Sequence, residues 1–146
     1  MAGLEWLVEA YQCDPSALAD PAKLRALAGA LIHDLPLHPV CDPVWHQFPG
    51  HGGITGLVLL AESHLAVHTF PEHGSLTLNL FCCRPRPEWD FASYLRREFR
   101  AAEVKVRRLE RPYASGASPW PAPAPQTAHP SSPNSSAGDR SCEARQ

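Results

Sequence analysis

The stretch H-L-A-V-H-T-F-P-E-H-G-S-L-T-L-N-L-F-C-C, residues 64–83, decides the fold. Its two halves alternate between apolar and other residues with the period of two that belongs to strands, and the P-E-H-G between them is turn chemistry. The two runs therefore predict an antiparallel hairpin. Alternate side chains of a strand point to opposite faces. Leu76, Leu78, Leu80 and Cys82 share one face, and Leu65 and Val67 join them toward a core. The other face takes His64, Ala66, His68 and Phe70 from the first strand, and Ser75, Thr77, Asn79, Phe81 and Cys83 from the second.

Outward from the hairpin, V-W-H-Q-F (44–48) and I-T-G-L-V-L-L (54–60) read as two strands before it. L-E-W-L-V-E-A-Y-Q-C (4–13) reads as a first strand and E-V-K-V-R-R-L-E (103–110) as a last one. A helix over 20–33 opens with Asp20 as its cap and Pro21 at the first helical position, and carries Leu24, Leu27 and Leu31 on one face. A second helix, from about 87 to 101, carries Phe91, Leu95 and Phe99 at fourfold spacing. The order β-α-β-β-β-β-α-β predicts an α+β two-layer sandwich, an antiparallel sheet with two helices packed on one face. The two ends mirror each other in element order, a weak sign of a duplicated half, with no repeat at the level of residues.

A chain of 146 residues supports one core and one domain. From residue 114 onward the sequence turns Pro/Ser/Ala-rich, with only Trp120 as an aromatic, and such a segment cannot offset its ordering entropy by burial. The expected division is a folded domain over 1–113 and a disordered tail over 114–146, with extended Pro-rich character near Trp120. A net charge of −2 without a Lys/Arg cluster argues against nucleic acid or an anionic membrane as partner and favours a small or zwitterionic ligand. No apolar run reaches the roughly 20 residues of a spanning helix, and no secretory leader is recognisable, so a soluble cytoplasmic protein is expected. Five cysteines without C-x-x-C spacing suggest neither a disulfide framework nor a structural zinc site.

Parity makes His68 and Cys83 candidates for one site. A Cys/His hydrolase would use His68 to ionise Cys83, but no third group to orient the histidine is evident. A metal site drawn from His46, His51, His64, His68 and His73 has the right ligand types without a recognised spacing. The plain alternative makes the histidines partly exposed strand residues and the cysteines core filler.

Four segments shift this balance: L-V-E-A-Y-Q-C-D near the N-terminus, T-G-L-V-L-L-A, E-S-H-L-A-V-H-T-F-P-E and N-L-F-C-C. Together, over residues 4–112, they resemble the short prokaryotic, pyruvoyl-dependent S-adenosylmethionine decarboxylase proenzyme. The resemblance implies self-cleavage between Glu62 and Ser63, through an ester and β-elimination. The products are a β chain of 1–62 and an α chain starting at a former Ser63, converted to a pyruvoyl group. It implies that this group holds the substrate amine as a Schiff base, that His68 and Thr55 assist processing, and that Cys83 donates the proton after CO₂ leaves. An amide is more stable than an ester, so strain at the turn, on the order of 1 to 3 kcal/mol, is expected to help the first step.

By the same resemblance Phe48 and Phe70 line the adenine site and Glu72 accepts hydrogen bonds from the ribose; ordinary packing, or a solvated hairpin position for Glu72, is the alternative. Aromatic faces also suit a sulfonium. A homodimer of αβ units is implied, with sites near the interface, and the product serves spermidine synthesis. The chain departs from the family pattern at Thr55 (Ser), Phe70 (Trp), Asn79 (Asp) and the Cys82-Cys83-Arg84 segment (T-C-G). Phe70, Asn79 and Arg84 bear on the substrate pocket, so decarboxylation of free ornithine or arginine, or a non-processing regulatory role, stands as the alternative. His64 and His73 are left without a role.

Overall fold

The computed structural model describes residues 2–113, and the expected tail lies outside them. The elements are β1 (Ala2–Tyr11), α1 (Pro15–Leu18), α2 (Pro21–Asp34), β2 (Val44–Gln47), β3 (Ile54–Leu60), β4 (Ser63–Phe70), a 3₁₀ turn (Pro71–His73), β5 (Ser75–Cys82), α3 (Phe91–Phe99) and β6 (Glu103–Pro112). All six strands form one sheet in the order β2-β3-β4-β5-β1-β6, with every pair antiparallel. The α+β sandwich expected from the sequence is the architecture found.

Three details differ from the sequence reading. The short helix α1 was not anticipated, yet Asp14 caps it by accepting from the Ser16 N–H, and Pro15 opens it, the same signature that Asp20 and Pro21 give α2. Helix α3 begins at Phe91, not near 87, because Asp90 is the cap and Pro85 and Pro87 disfavour helical backbone at the residues before them. Among the cysteines, Cys13, Cys82 and Cys83 are free, but Cys41 is disulfide-bonded, contrary to the expectation of no disulfide.

The core lies between the sheet and the helices. Trp6, Val8, Leu65, Leu78 and Leu80 from the strands meet Leu24, Leu27 and Leu31 of α2 and Phe91, Leu95 and Phe99 of α3 in one buried cluster. Among the described residues Thr69 is the buried polar exception, and both its bonds are made: its Oγ1 donates to the Leu18 carbonyl and accepts from the Ile54 N–H, each at 2.8 Å. Gly74 closes the β4–β5 turn at φ 60°, a left-handed position that favours glycine.

Among the described residues, no helix covers the opposite face of the sheet. Leu57, Leu59, Phe70 and Leu109 lie exposed there, 40–50% accessible, amid His64, His68, Glu5, Glu9 and Arg107.

Candidate active site

The β3–β4 hairpin presents the chemistry. Its last pair is Leu60 with Ser63, so the turn is the two residues Ala61 and Glu62. Favoured two-residue turns use a positive φ, usually at glycine. Neither Ala61 nor Glu62 adopts one, and Ser63 at φ 159° sits close to extended backbone, so no left-handed residue marks the strain expected here. A strap before β2 braces the turn: the Ala61 N–H donates to the His38 carbonyl at 2.8 Å and the Val40 N–H to the Leu59 carbonyl at 3.1 Å.

Around this turn the side chains close in. The Glu62 carboxylate, only 10% exposed, is ion-paired with Arg86 and bonded by His38 Nδ1 at 2.7 Å. The His38 hydrogen bond, with the Arg86 charge behind it, holds Glu62 below the usual carboxylate range despite its burial. The Glu62 backbone carbonyl accepts the Cys83 N–H at 3.1 Å. Ser63 pairs with Cys82 across the β4–β5 ladder. Burial raises the Cys82 thiol, and neighbouring Arg86 and Ser63 pull it part of the way back. Cys83, one residue on, is exposed and lines a cavity of about 530 Å³ with His38, Glu62, Arg84 and Arg86. Parity thus separated the two thiols correctly. Tyr113 Oη donates to the Cys83 carbonyl.

A second cavity of about 390 Å³ is lined by Phe48, His51, Thr55, His68, Phe70 and Glu72. It therefore gathers every remaining residue that the resemblance named. Thr55 and His68 face each other across β3 and β4, with Oγ1 and Nδ1 3.0 Å apart. The pairing of His68 with Cys83 in one site fails within a single chain. They share a face, but His68 is level with Thr77 while Cys83 is level with Glu62, roughly 20 Å away along the strand at about 3.3 Å per residue.

His64 gains a place that spacing could not give it. Asn79 donates from Nδ2 to the Glu5 carboxylate at 2.7 Å, which turns its Oδ1 to His64 Nε2 at 2.9 Å. A carboxylate only accepts, so this order fixes Nε2 as the donor on His64. Arg111 completes the chain on Glu5. His38 and Arg86 were missed altogether, since they lie 24 residues either side of Glu62 and no motif links them. Among the described residues, no three His, Cys, Asp or Glu side chains converge to hold a metal.

A sequence model of the S-adenosylmethionine decarboxylase family matches residues 4–112. The chain is 36% identical over 112 residues to an S-adenosylmethionine decarboxylase proenzyme of Moorella thermoacetica, covering 75% of this chain and 86% of that one. It is 34% identical over 112 residues to the proenzyme of Pyrococcus furiosus, covering 75% and 78%. Its fold is similar to the crystal structure of the adenosylmethionine decarboxylase from Aquifex aeolicus, with a TM-score of 0.66 and 27% identity over 80% of this chain and 96% of that one. Fold and relatives define the class, a carboxy-lyase. The chain belongs to the S-adenosylmethionine decarboxylase family, and its reaction is the decarboxylation of S-adenosylmethionine. None of these relatives supports a free amino acid as substrate or a purely regulatory role.

Proposed function

We propose that the protein is a proenzyme that cuts itself between Glu62 and Ser63, into a β chain of 1–62 and an α chain from 63 that begins with a pyruvoyl group. One observation carries this reading. The Ser63 hydroxyl is buried and unspent beside a peptide whose carbonyl already accepts the Cys83 N–H. Attack of Ser63 Oγ on the Glu62 carbonyl carbon moves negative charge onto the oxygen that faces that amide. A hydrogen bond that strengthens as charge develops lowers the barrier.

Once formed, the pyruvoyl group supplies the electron sink for loss of CO₂. The rest is done by side chains. Cys83, exposed in the cavity next to the cut, returns a proton to the decarboxylated carbon. Phe48 and Phe70 offer aromatic faces to the adenine and the sulfonium, and Glu72 accepts from ribose hydroxyls. His68, hydrogen-bonded to Thr55, moves protons during processing.

These two groups stand at opposite ends of one sheet face. A second copy laid antiparallel on the uncovered face would bring the Thr55–His68 cavity of one chain over the Ser63–Cys83 end of the other, and the exposed Leu57, Leu59, Phe70 and Leu109 supply apolar surface for it. The working form in this reading is a homodimer of αβ units, in the cytoplasm; no helix among the described residues is long and apolar enough to cross a membrane.

Intact-mass measurement tests the processing step: the active preparation is expected to contain two chains divided after Glu62, and a Ser63→Ala chain to stay whole. A full-length chain in an active preparation would overturn the proposal.

A further inference from the structure

The described residues hold four buried side-chain polar atoms without a hydrogen-bond partner, and three of them belong to the two residues of one peptide bond and the arginine ion-paired with it: Glu62 Oε2, Ser63 Oγ and Arg86 Nε. Buried polar atoms are nearly always paired, and leaving one unpaired costs about 1–3 kcal/mol. Two of these atoms are oxygens that can accept and one is a guanidinium N–H that must donate. The neighbouring Cys82 thiol is too weak a partner to satisfy either side.

Resting on the proposed self-cleavage, the bookkeeping of atoms shows what the spare donor is for. After the acyl shift, Ser63 Oγ is esterified to the Glu62 carbonyl carbon and the Ser63 nitrogen is a free amine. Elimination then removes the Ser63 Cα proton to a base, here His68 of the partner subunit. The Cα–Cβ double bond forms, the Cβ–Oγ bond breaks, and the electron pair leaves on Oγ. Oγ departs as the second oxygen of a new Glu62 α-carboxylate, leaving dehydroalanine, which tautomerises and takes up water to release ammonia. The first oxygen of that carboxylate already has the Cys83 N–H. The second is the Ser63 oxygen, unpartnered in the uncut chain and, like Arg86, a neighbour of the Cys82 thiol.

We infer that Arg86 is the leaving-group site of self-processing, a guanidinium whose Nη2 holds the Glu62 side chain while its Nε takes the α-carboxylate that elimination expels. The Arg86 side chain is only 13% exposed, and the more exposed His38 holds the same Glu62 oxygen from the solvent side. Arg is suited to this because its fixed fork of donors can serve two carboxylate oxygens at once and stays charged. The acyl shift develops its negative charge on the Glu62 carbonyl oxygen, which already faces the Cys83 N–H, whereas elimination leaves a full carboxylate charge on Oγ, where the guanidinium matters most.

The test follows the ester. It has the mass of the uncut chain but is split by neutral hydroxylamine into a Glu62 hydroxamate and an α chain with an N-terminal serine, whereas the amide resists. The unaltered chain is expected to run through to the pyruvoyl form. Arg86→Gln is expected to slow elimination about 10²-fold, the usual effect of losing one such donor, and to accumulate hydroxylamine-sensitive chain; Arg86→Lys should recover much of the rate. Since Arg86→Gln strands a buried carboxylate, the double variant Glu62→Gln/Arg86→Gln removes both charges and is expected to fold and still stall at the ester. Pyruvoyl release by the double variant at the unaltered rate, or a stall that stays hydroxylamine-resistant, would overturn the assignment. An unaltered chain that never splits defeats the self-cleavage reading instead.

Discussion

At the residue scale, chemistry here is decided by which polar groups are paired. Glu62 is anchored twice, Ser63 not at all, and the contrast sits across one peptide bond. Because the Glu62 carboxyl is held below its ordinary value of 4.5 in the folded chain, its contribution to stability is complete above that value and is lost as pH falls through the lowered one. Other carboxylates, among them Glu5 and Glu98, are lowered too, so a comparison is needed to isolate Glu62. The Ser63→Ala chain is expected to lose melting temperature between about pH 5 and pH 3 more steeply than the Ser63→Ala/Glu62→Gln chain. Parallel curves from thermal denaturation would show that the anchor contributes nothing. The two thiols illustrate the same dependence on surroundings: Cys82 is fully buried and pushed up, while its neighbour Cys83 is open to the cavity.

At the element scale, helices and strands are set by patterns that the chain carries openly. Asp-Pro opens α1 and α2, and the alternation of β4 and β5 fixes which side chains face the core. Helix α3 is short, and its hold on the sheet rests on Phe91, Leu95 and Phe99. Leu95→Ala removes a fully buried side chain and is expected to cost about 2–5 kcal/mol. Urea denaturation of the uncut Ser63→Ala chain with and without the change measures it, and a loss under ~1 kcal/mol would mean α3 packs more loosely than its burial implies. The boundaries were less legible than the elements. Strand β1 runs from Ala2 because β6 pairs with its whole length, and pairing with a partner 100 residues away is not a local signal.

At the scale of the whole molecule, the uncovered sheet face carries the main consequence. Neither cavity holds a full set of groups: one has Glu62 and Cys83, the other the aromatic residues, Glu72, Thr55 and His68. If each site is shared between two copies, a Cys83→Ala chain and a His68→Ala chain fail for defects that lie in different halves. Because His68 is proposed to act in processing, Glu72→Gln is the cleaner second partner. Cys83→Ala and Glu72→Gln chains, each weakly active alone, are expected on co-expression to recover up to about a quarter of full activity, since half of the random dimers hold one intact site. Activity no greater than the average of the two would place all the groups within one chain. Leu57→Glu, on the uncovered face, is expected to shift sedimentation toward the monomer and to lower activity with it.

The sequence by itself determined the sheet, the two main helices, the face that each strand residue takes, and the E-S-H and H-T-F-P-E segments that carry the family likeness. These are local or periodic properties, readable because a strand repeats every two residues and a helix cap is a single position. Only the tertiary structure decided that His68 and Cys83 stand at opposite ends of one face, that Asn79 links His64 to Glu5, and that His38 and Arg86 converge on Glu62. Those outcomes depend on strand register and on a strap and a loop that return to the same turn from 24 residues away on either side. Contacts of that range have no period and no spacing; they exist only once the core has fixed where each strand begins.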